Sequence, residues 1–128
     1  MFHQEDPAAM FCLTGATRFK YIPGYRDMRG GYEKLSSVIR SLGEEIEEGT
    51  AYVFTSRDQK LVKIIRHENC ERQLYVQRFD SNVSFLRLTF EGDRPVYELK
   101  WKYLVALLSF PVIKAVGPAG VKRDGDAA

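Results

Sequence analysis

The chain offers few residues whose type and spacing suit covalent catalysis. Its histidines are His3, in a polar stretch at the start, and His67, at the end of a predicted strand. A single histidine at a strand end is usually a surface or turn residue. Ser36 and Ser37 lie on a predicted helix, without a nucleophile-elbow motif or a base partner visible in the sequence. The sequence therefore predicts a protein that is not an enzyme. A small enzyme of unknown substrate stays an alternative, because catalytic residues can be scattered along a chain.

The sequence also shows no metal-binding or phosphate-binding motif. Three aspartates stand in predicted turns or at a helix cap, where turn and capping chemistry explains them: Asp27, Asp58 and Asp80. Gly30 and Gly31 follow neither the phosphate-loop nor the dinucleotide-binding spacing. Cys12 and Cys70 have no metal-ligand spacing and are typical of reduced structural cysteines. We expect no catalytic residue, no metal site and no cofactor.

A group of basic residues is the most suggestive chemical feature. The segment 57–66 contains one acid, Asp58, against four cations: Arg57, Lys60, Lys63 and Arg66. The two-residue period of a strand puts Lys60 and Arg66 on one face and Lys63 on the other, and Arg72, Arg78 and Arg87 follow on adjoining strands. Lys and Arg neutralise phosphates, which favours weak, salt-sensitive nucleic-acid binding through Arg57, Lys60, Lys63, Arg66 and Arg78. The alternative is an ordinary polar sheet face whose cations are balanced by nearby glutamates.

Arg29 joins this predicted binding set for a different reason. It lies in the first turn of the predicted N-terminal helix, where the helix dipole does not favour a cation. Free N–H groups at that end of a helix assist a phosphate or carboxylate contact. A solvated side chain is the alternative for Arg29.

The N-terminal helix is predicted from residue 27 to about residue 42. Asp27 stands where an N-cap belongs, and Gly43 is a natural stop. Apolar residues recur at three- and four-residue steps along one face: Met28, Tyr32, Leu35, Val38, Ile39 and Leu42. The acidic segment that follows, 44–48, is predicted to be a solvated turn, with an element that repels misplaced anions as the alternative.

Strands dominate the rest of the chain. A strand at 17–22 precedes the helix, and a short C-terminal helix is predicted at 99–109. Further strands are predicted between short breaks at 50–55, 60–66, 73–79, 83–91 and 95–97. Breaks this short force neighbouring strands to be antiparallel. The predicted fold is α+β, an antiparallel β-meander of about five to six strands packed against one N-terminal helix, with a short C-terminal helix.

Size and composition bound the protein further. A chain of 128 residues is a single domain by length, and we place that domain at 10–113, between disordered segments at 1–9 and 114–128. Met10 is an alternative start. The net charge of +2 means that nucleic-acid binding would need clustered charge. No apolar run is long enough to span a membrane and no signal peptide is visible, so we expect a cytoplasmic protein.

An ordered set of motifs resembles one known family. The stretch R-D-M-R-G-G-Y-E-K-L at 26–35 resembles the helix start of the TnpB accessory protein, which the second open reading frame of insertion sequence sixty-six elements encodes. The strand G-T-A-Y-V-F at 49–54 is similar to a strand of that family. Three further segments match in the same order: 58–65, 74–79 and 99–108. With the opening 10–14, the resemblance covers about residues 10–110.

The resemblance implies a role rather than a mechanism. It implies a non-catalytic accessory protein of bacterial transposition that works beside a separate transposase and contacts DNA, the transposase or both. The alternative function is a protein–protein adapter without direct DNA contact, which binds the transposase or itself through an exposed sheet edge or an aromatic patch. Neither the residues nor the resemblance predicts an oligomeric state.

The chain departs from the family pattern at three places. The usual glycine turn after the second strand is replaced by the residues at 68–71. The arginine-rich hairpin is thinned to Arg57, Asp58, Gln59 and Lys60. The tryptophan–proline strand end is absent, and Arg94-Pro95-Val96-Tyr97 stands in its place. These departures weaken the expectation of strong DNA contact through the hairpin.

Overall fold

The computed structural model describes residues 18–25, 27–80, 82–113, 115–117 and 120–122, the last two ranges for their backbone alone. The predicted extension at 1–9, the motif at 10–14, Cys12 and Arg26 lie outside the described residues. The elements follow in this order: β1 (Arg18–Tyr21), α1 (Tyr32–Ser41), β2 (Thr50–Thr55), β3 (Leu61–Glu68), β4 (Glu71–Arg78), β5 (Val83–Ser84), β6 (Tyr97–Glu98), α2 (Trp101–Ser109), β7 (Val112–Ile113), β8 (Ala115–Gly117) and β9 (Gly120–Lys122).

A five-stranded sheet with the order β4-β3-β2-β1-β6 forms the centre of the fold. Neighbouring strands are antiparallel except β1 and β2, which run parallel, with Phe19 beside Ala51 and Tyr21 beside Val53. Parallel neighbours need a crossover connection, and α1 provides it. The predicted α+β class with a helix-backed, mainly antiparallel sheet is confirmed, and the parallel β1–β2 pair adds a βαβ unit to the predicted meander.

Both faces of the sheet are covered. On one face, Leu35 and Ile39 of α1 pack with Tyr52, Phe54 and Ile65. On the other face, a second core combines residues of β2 and β3 with residues of α2 and of the segment after β5. Its members include Val53, Val62 and Ile64 from the strands, Phe85 after β5, and Leu104 and Leu107 from α2. The central strand β2 is buried at every position because each of its faces meets a packed layer. The predicted N-terminal helix therefore covers only one of the two buried faces of the sheet.

Helix α1 begins later than the sequence pattern predicts. Its N-cap is Gly31, which makes no side-chain capping bond, so the predicted N-cap role of Asp27 is wrong. Gly30 has a φ of +87°, a left-handed conformation that breaks the helical path before Gly31. The Asp27 carboxylate accepts instead from the backbone N–H of Arg29 at 3.2 Å. The residues of the predicted apolar stripe still pack in one cluster, although Met28 lies before the helix and Leu42 is its C-cap.

The strand predicted at 83–91 is another correction, since only Val83–Ser84 forms a strand, and it pairs with β7. The backbone beyond it is drawn to the β2–β3 turn: the Phe85 N–H donates to the Gln59 carbonyl at 2.6 Å, and the Gln59 side chain donates to the Leu86 carbonyl at 2.9 Å. This segment therefore contributes side chains to the second core without extending the main sheet.

The predicted disordered tail at 114–128 includes the short antiparallel pair of β8 and β9. The domain boundaries themselves stay a prediction. Within the described ranges, no helix is long and apolar enough to cross a membrane.

Candidate nucleic-acid interface

The turn between β2 and β3 places Arg57 at one end of the sheet. The Asp58 carboxylate accepts from the Ser56 hydroxyl at 2.7 Å and from the Lys60 N–H at 3.1 Å. The hydrogen bond from Ser56, supported by that from Lys60, lowers the pKa of Asp58. The local hydrogen bonds hold the turn in one shape, and Arg57 is exposed on it.

Arg78 lies at the same end of the sheet as that turn. It is the last residue of β4 and pairs with Leu61, the first residue of β3. Arg57 and Arg78 are both exposed, and neither forms an ion pair with another residue that the structure describes. These two guanidinium groups are therefore open to an external anion.

Two lysines of the predicted set hold parts of the fold together. The Lys60 ammonium donates to the Val83 carbonyl at 3.3 Å. The Lys63 ammonium donates to the carbonyls of Met28 and Gly30 at 2.5 and 2.6 Å. Both side chains are half-buried. A phosphate contact would compete with these internal bonds.

Arg66 is the most enclosed of the predicted residues. It is 5% exposed, its Nε donates to Gln73 Oε1 at 2.8 Å, and its Nη2 lies 3.5 Å from Glu68 Oε1. Val62 and Ile64 on its face pack under α2, whereas Lys63 lies on the α1 face, as the two-residue period predicts. The predicted strip is thus divided between two faces of the sheet.

Arg29 is exposed but has an acidic partner. Its Nε and Nη2 each lie 2.8 Å from an oxygen of Asp27, a two-pronged pairing. The guanidinium and the backbone N–H of Arg29 hold the pKa of Asp27 well below its usual range, and the carboxylate raises the pKa of Arg29. The pair is locally neutral, so Arg29 adds little net charge to the interface.

The acidic segment after α1 is largely exposed, as predicted for a solvated turn, and two of its glutamates also form ion pairs. The Lys20 ammonium lies 3.3 Å from Glu44 and 3.7 Å from Glu47, and Glu47 also lies 3.5 Å from Arg18. Burial lowers the pKa of Lys20, but the hydrogen bond and charge of Glu44, with the charge of Glu47, raise it overall. These glutamates neutralise cations of β1.

The sequence pattern missed a second group of cations. Arg87 and Lys100 border a cleft of about 430 Å³ whose lining also includes the acid Glu98, Phe90 and the exposed Tyr103. The Lys102 ammonium lies 5.2 Å from the centroid of the Tyr103 ring. Interpreting 83–91 as a strand hid this grouping, because the cleft forms where that segment leaves the sheet and meets α2.

A larger cleft of about 660 Å³ lies between the β1–α1 connection, the end of α1 and residues 93–95. Its lining is mostly apolar and includes Ile22, Val38, Leu42 and Pro95. The hydroxyl of Tyr25, also in the lining, is buried and has no hydrogen-bond partner among the described residues. This cleft suits contact with an apolar group of a partner.

The described residues contain no group of three or more His, Cys, Asp or Glu side chains that could hold a metal ion. His67 borders a cleft of about 260 Å³ with Glu33, Glu45 and Arg72. Arg72 forms an ion pair with Glu33, and its guanidinium carbon lies 5.7 Å from the centre of the Tyr32 ring. The Arg72–Glu33 ion pair therefore links β4 to α1.

A family model described as IS66 Orf2 like protein matches residues 17–116. No curated protein and no solved structure matches the chain. The family match spans every strand of the main sheet and both helices.

Proposed function

Because this chain belongs to the IS66 Orf2 like family, and so has an accessory role in transposition of IS66 elements, we propose that it acts without catalysis and contacts DNA at the hairpin end of its sheet. The proposal places it in the bacterial cytoplasm, beside the transposase of the same element, which carries out the strand-transfer chemistry. It uses no metal or cofactor of its own.

The observation that supports DNA contact is the location of Arg57 and Arg78. Both are exposed at the same end of the sheet, and neither is neutralised by a described acid. Two exposed guanidinium groups suit two phosphates of one backbone, because a planar guanidinium donates two parallel hydrogen bonds to phosphate oxygens. The rigid turn around Asp58 lowers the entropy that Arg57 loses on binding.

The remaining cations of the set assist to different degrees. Lys60 adds positive potential near the same end, and Lys63 adds it farther along β3, while both keep their internal bonds. Arg29 contributes only when it leaves Asp27. Arg66 supports β3 from inside the fold. With so few direct contacts, binding is weak and independent of sequence, and its affinity falls only modestly as salt rises.

A salt titration of duplex DNA binding tests this proposal. Each phosphate contact adds about one to the slope of log K against log salt, so the double variant Arg57→Gln with Arg78→Gln is expected to lower that slope by about two. Arg40→Gln is the matched control, because Arg40 is exposed and borders the separate cleft that contains His67. Undetectable binding at low salt, or an unchanged slope in the double variant, would falsify DNA contact at this end.

A protein–protein adapter without direct DNA contact is the second candidate, and the cleft of about 660 Å³ beside α1 favours it. Its apolar lining suits a hydrophobic side chain of the transposase. Pro95 is an exposed lining residue, so Pro95→Arg is expected to reduce co-purification with the element's transposase after nuclease treatment, whereas Pro111→Arg, also exposed but outside the cleft, leaves it unchanged. Equal recovery of the transposase with both variants argues against this cleft as the docking site.

A further inference from the structure

Strand β4 ends the main sheet with eight residues, Glu71–Arg78, and no described strand pairs with its outer side. Natural proteins usually shorten, charge or cover such an edge, because its unpaired N–H and C=O groups attract another strand. Arg72 and Arg78 stand near its two ends, but its centre holds Leu74 and Val76, which are 39% and 49% exposed. An open edge with an apolar centre is suited to strand addition.

The register with β3 shows which backbone groups are open. The Phe79 N–H donates inward to the Lys60 carbonyl at 2.8 Å, which continues the β3–β4 register. In an antiparallel ladder, inward-directed and outward-directed groups alternate from residue to residue. The outward N–H and C=O groups of β4 therefore belong to Arg72, Leu74, Val76 and Arg78.

We propose that β4 pairs antiparallel with β4 of a second copy, centred on Leu74, so that two five-stranded sheets join into one. Identical strands pair in this way about a two-fold axis perpendicular to the sheet. Residues that face each other across the axis must lie on the same face of the sheet. Centring on Leu74 satisfies this condition and places each outward-directed backbone group opposite another.

Charge selects this register over the one centred on Tyr75. With Leu74 at the centre, Arg72 lies opposite the second copy's Val76, and Glu71 lies opposite the second copy's Gln77. With Tyr75 at the centre, Arg72 lies directly opposite the second copy's Arg78, and like charges in that position are destabilising. The centred Leu74 pair also covers the apolar middle of the edge.

The dimer would present both α1 helices on one face of the joined sheet, since the axis keeps each face on its own side. The two Arg78 residues lie eight residues apart along the strand direction, a separation of about 27 Å. The dimer would thus carry one hairpin end at each end of the joined sheet. Dimer formation does not depend on DNA binding, and it is measured without DNA.

Disulfide trapping tests the register in the full chain with Cys12→Ser and Cys70→Ser. Directly paired residues have Cα atoms about 5.5 Å apart, within disulfide range, so Leu74→Cys is expected to give a covalent dimer under mild oxidation. Val76→Cys is the matched control, because the two copies of that residue would lie about 13 Å apart along the strands. Cross-linking of Val76→Cys as efficient as that of Leu74→Cys overturns the proposed register.

Mass measurements by light scattering or sedimentation over a wide range of protein concentration test the interface itself. Leu74→Arg places two cations opposite each other and is expected to weaken the dimer at least about tenfold. Ile113→Arg, at an apolar residue 67% exposed outside β4, is expected to leave the dimer intact. A wild-type chain that is monomeric throughout, or a dimer that Leu74→Arg does not weaken, overturns the proposal.

Discussion

The ammonium group of Lys63 lies 2.6 Å from the carbonyl oxygen of Gly30, and it fastens the segment before α1 to the middle of β3. The same ammonium donates to the carbonyl of Met28 at 2.5 Å. Gly30 turns the chain with a φ of +87°, and a Cβ at this position would lie 2.7 Å from Cβ of Lys34. A residue that the charge pattern assigns to DNA contact thus has a clear role in positioning the helix.

Replacing Lys63 with methionine is expected to destabilise the protein by about 2 kcal/mol, because hydrogen bonds that involve a charged group contribute about 1.5–3 kcal/mol and two carbonyls lose their donor. Urea denaturation followed by circular dichroism measures the change. Lys34→Met is the control, since Lys34 is an exposed residue of α1, and it should change the free energy of unfolding by no more than about 0.5 kcal/mol. Equal stability of the two variants contradicts the anchoring role.

Because Asp27 pairs with Arg29, we expect the Asp27 carboxylate to stay charged at acidic pH. The Arg29 guanidinium holds the pKa of Asp27 below that of an unfolded aspartate, so the pair stabilises the fold above the unfolded pKa and loses this contribution as pH falls through the folded pKa. The effect on stability is small because the pair faces solvent. Carboxyl NMR titration is expected to show that Arg29→Gln raises the pKa of Asp27 toward its usual range, while Arg57→Gln does not. An unchanged titration in Arg29→Gln contradicts the pairing.

Tyr52 is expected to hold the acidic segment to the sheet. Its side chain is buried, its hydroxyl donates to the Glu45 carbonyl at 3.1 Å, and it accepts from the Glu47 N–H at 3.1 Å. Tyr52→Phe leaves both backbone groups without this partner, so we expect a loss of about 1–2 kcal/mol. Hydrogen exchange at the Glu47 amide should accelerate, whereas Tyr103→Phe, at a residue 47% exposed, should leave that amide protected. Unaltered hydrogen exchange in Tyr52→Phe would contradict the role of Tyr52 in holding the acidic segment to the sheet.

Hydrophobic periodicity was sufficient to predict much of the fold. The strand at 50–55 has the predicted bounds, and the stripe through Leu35 and Ile39 lies on the sheet as expected. The parallel pairing of β1 with β2 was missed because short breaks reveal direction only for consecutive strands. The strand at 83–91 was overextended because Gln59, distant in sequence, binds the backbone of Phe85 and Leu86.

The candidate interface was less predictable than the fold. Basic residues mark a strip in the sequence, but a strand alternates its side chains, so Lys63 and Arg66 lie on opposite faces. Which cations have internal partners depends on contacts with Met28, Val83 and Gln73, far from them in the chain or on another strand. Arg57 and Arg78 lie at the same end of the sheet only because β4 returns beside β3.

The two-residue turn between β3 and β4 predicts a stabilising substitution. Glu68 pairs with Glu71 around Asn69 and Cys70, whose φ angles are 54° and 65°. Positive φ at both central residues defines a type I′ turn, for which Asn-Gly is the preferred sequence. Glycine relieves about 1–2 kcal/mol of left-handed strain at Cys70 but loses more entropy on folding, so Cys70→Gly is expected to raise the free energy of unfolding by about 0.5–1 kcal/mol. Cys70→Ala keeps the Cβ and should give no such gain. Urea denaturation of both variants checks this, and equal stabilities would show that the turn relaxes without glycine.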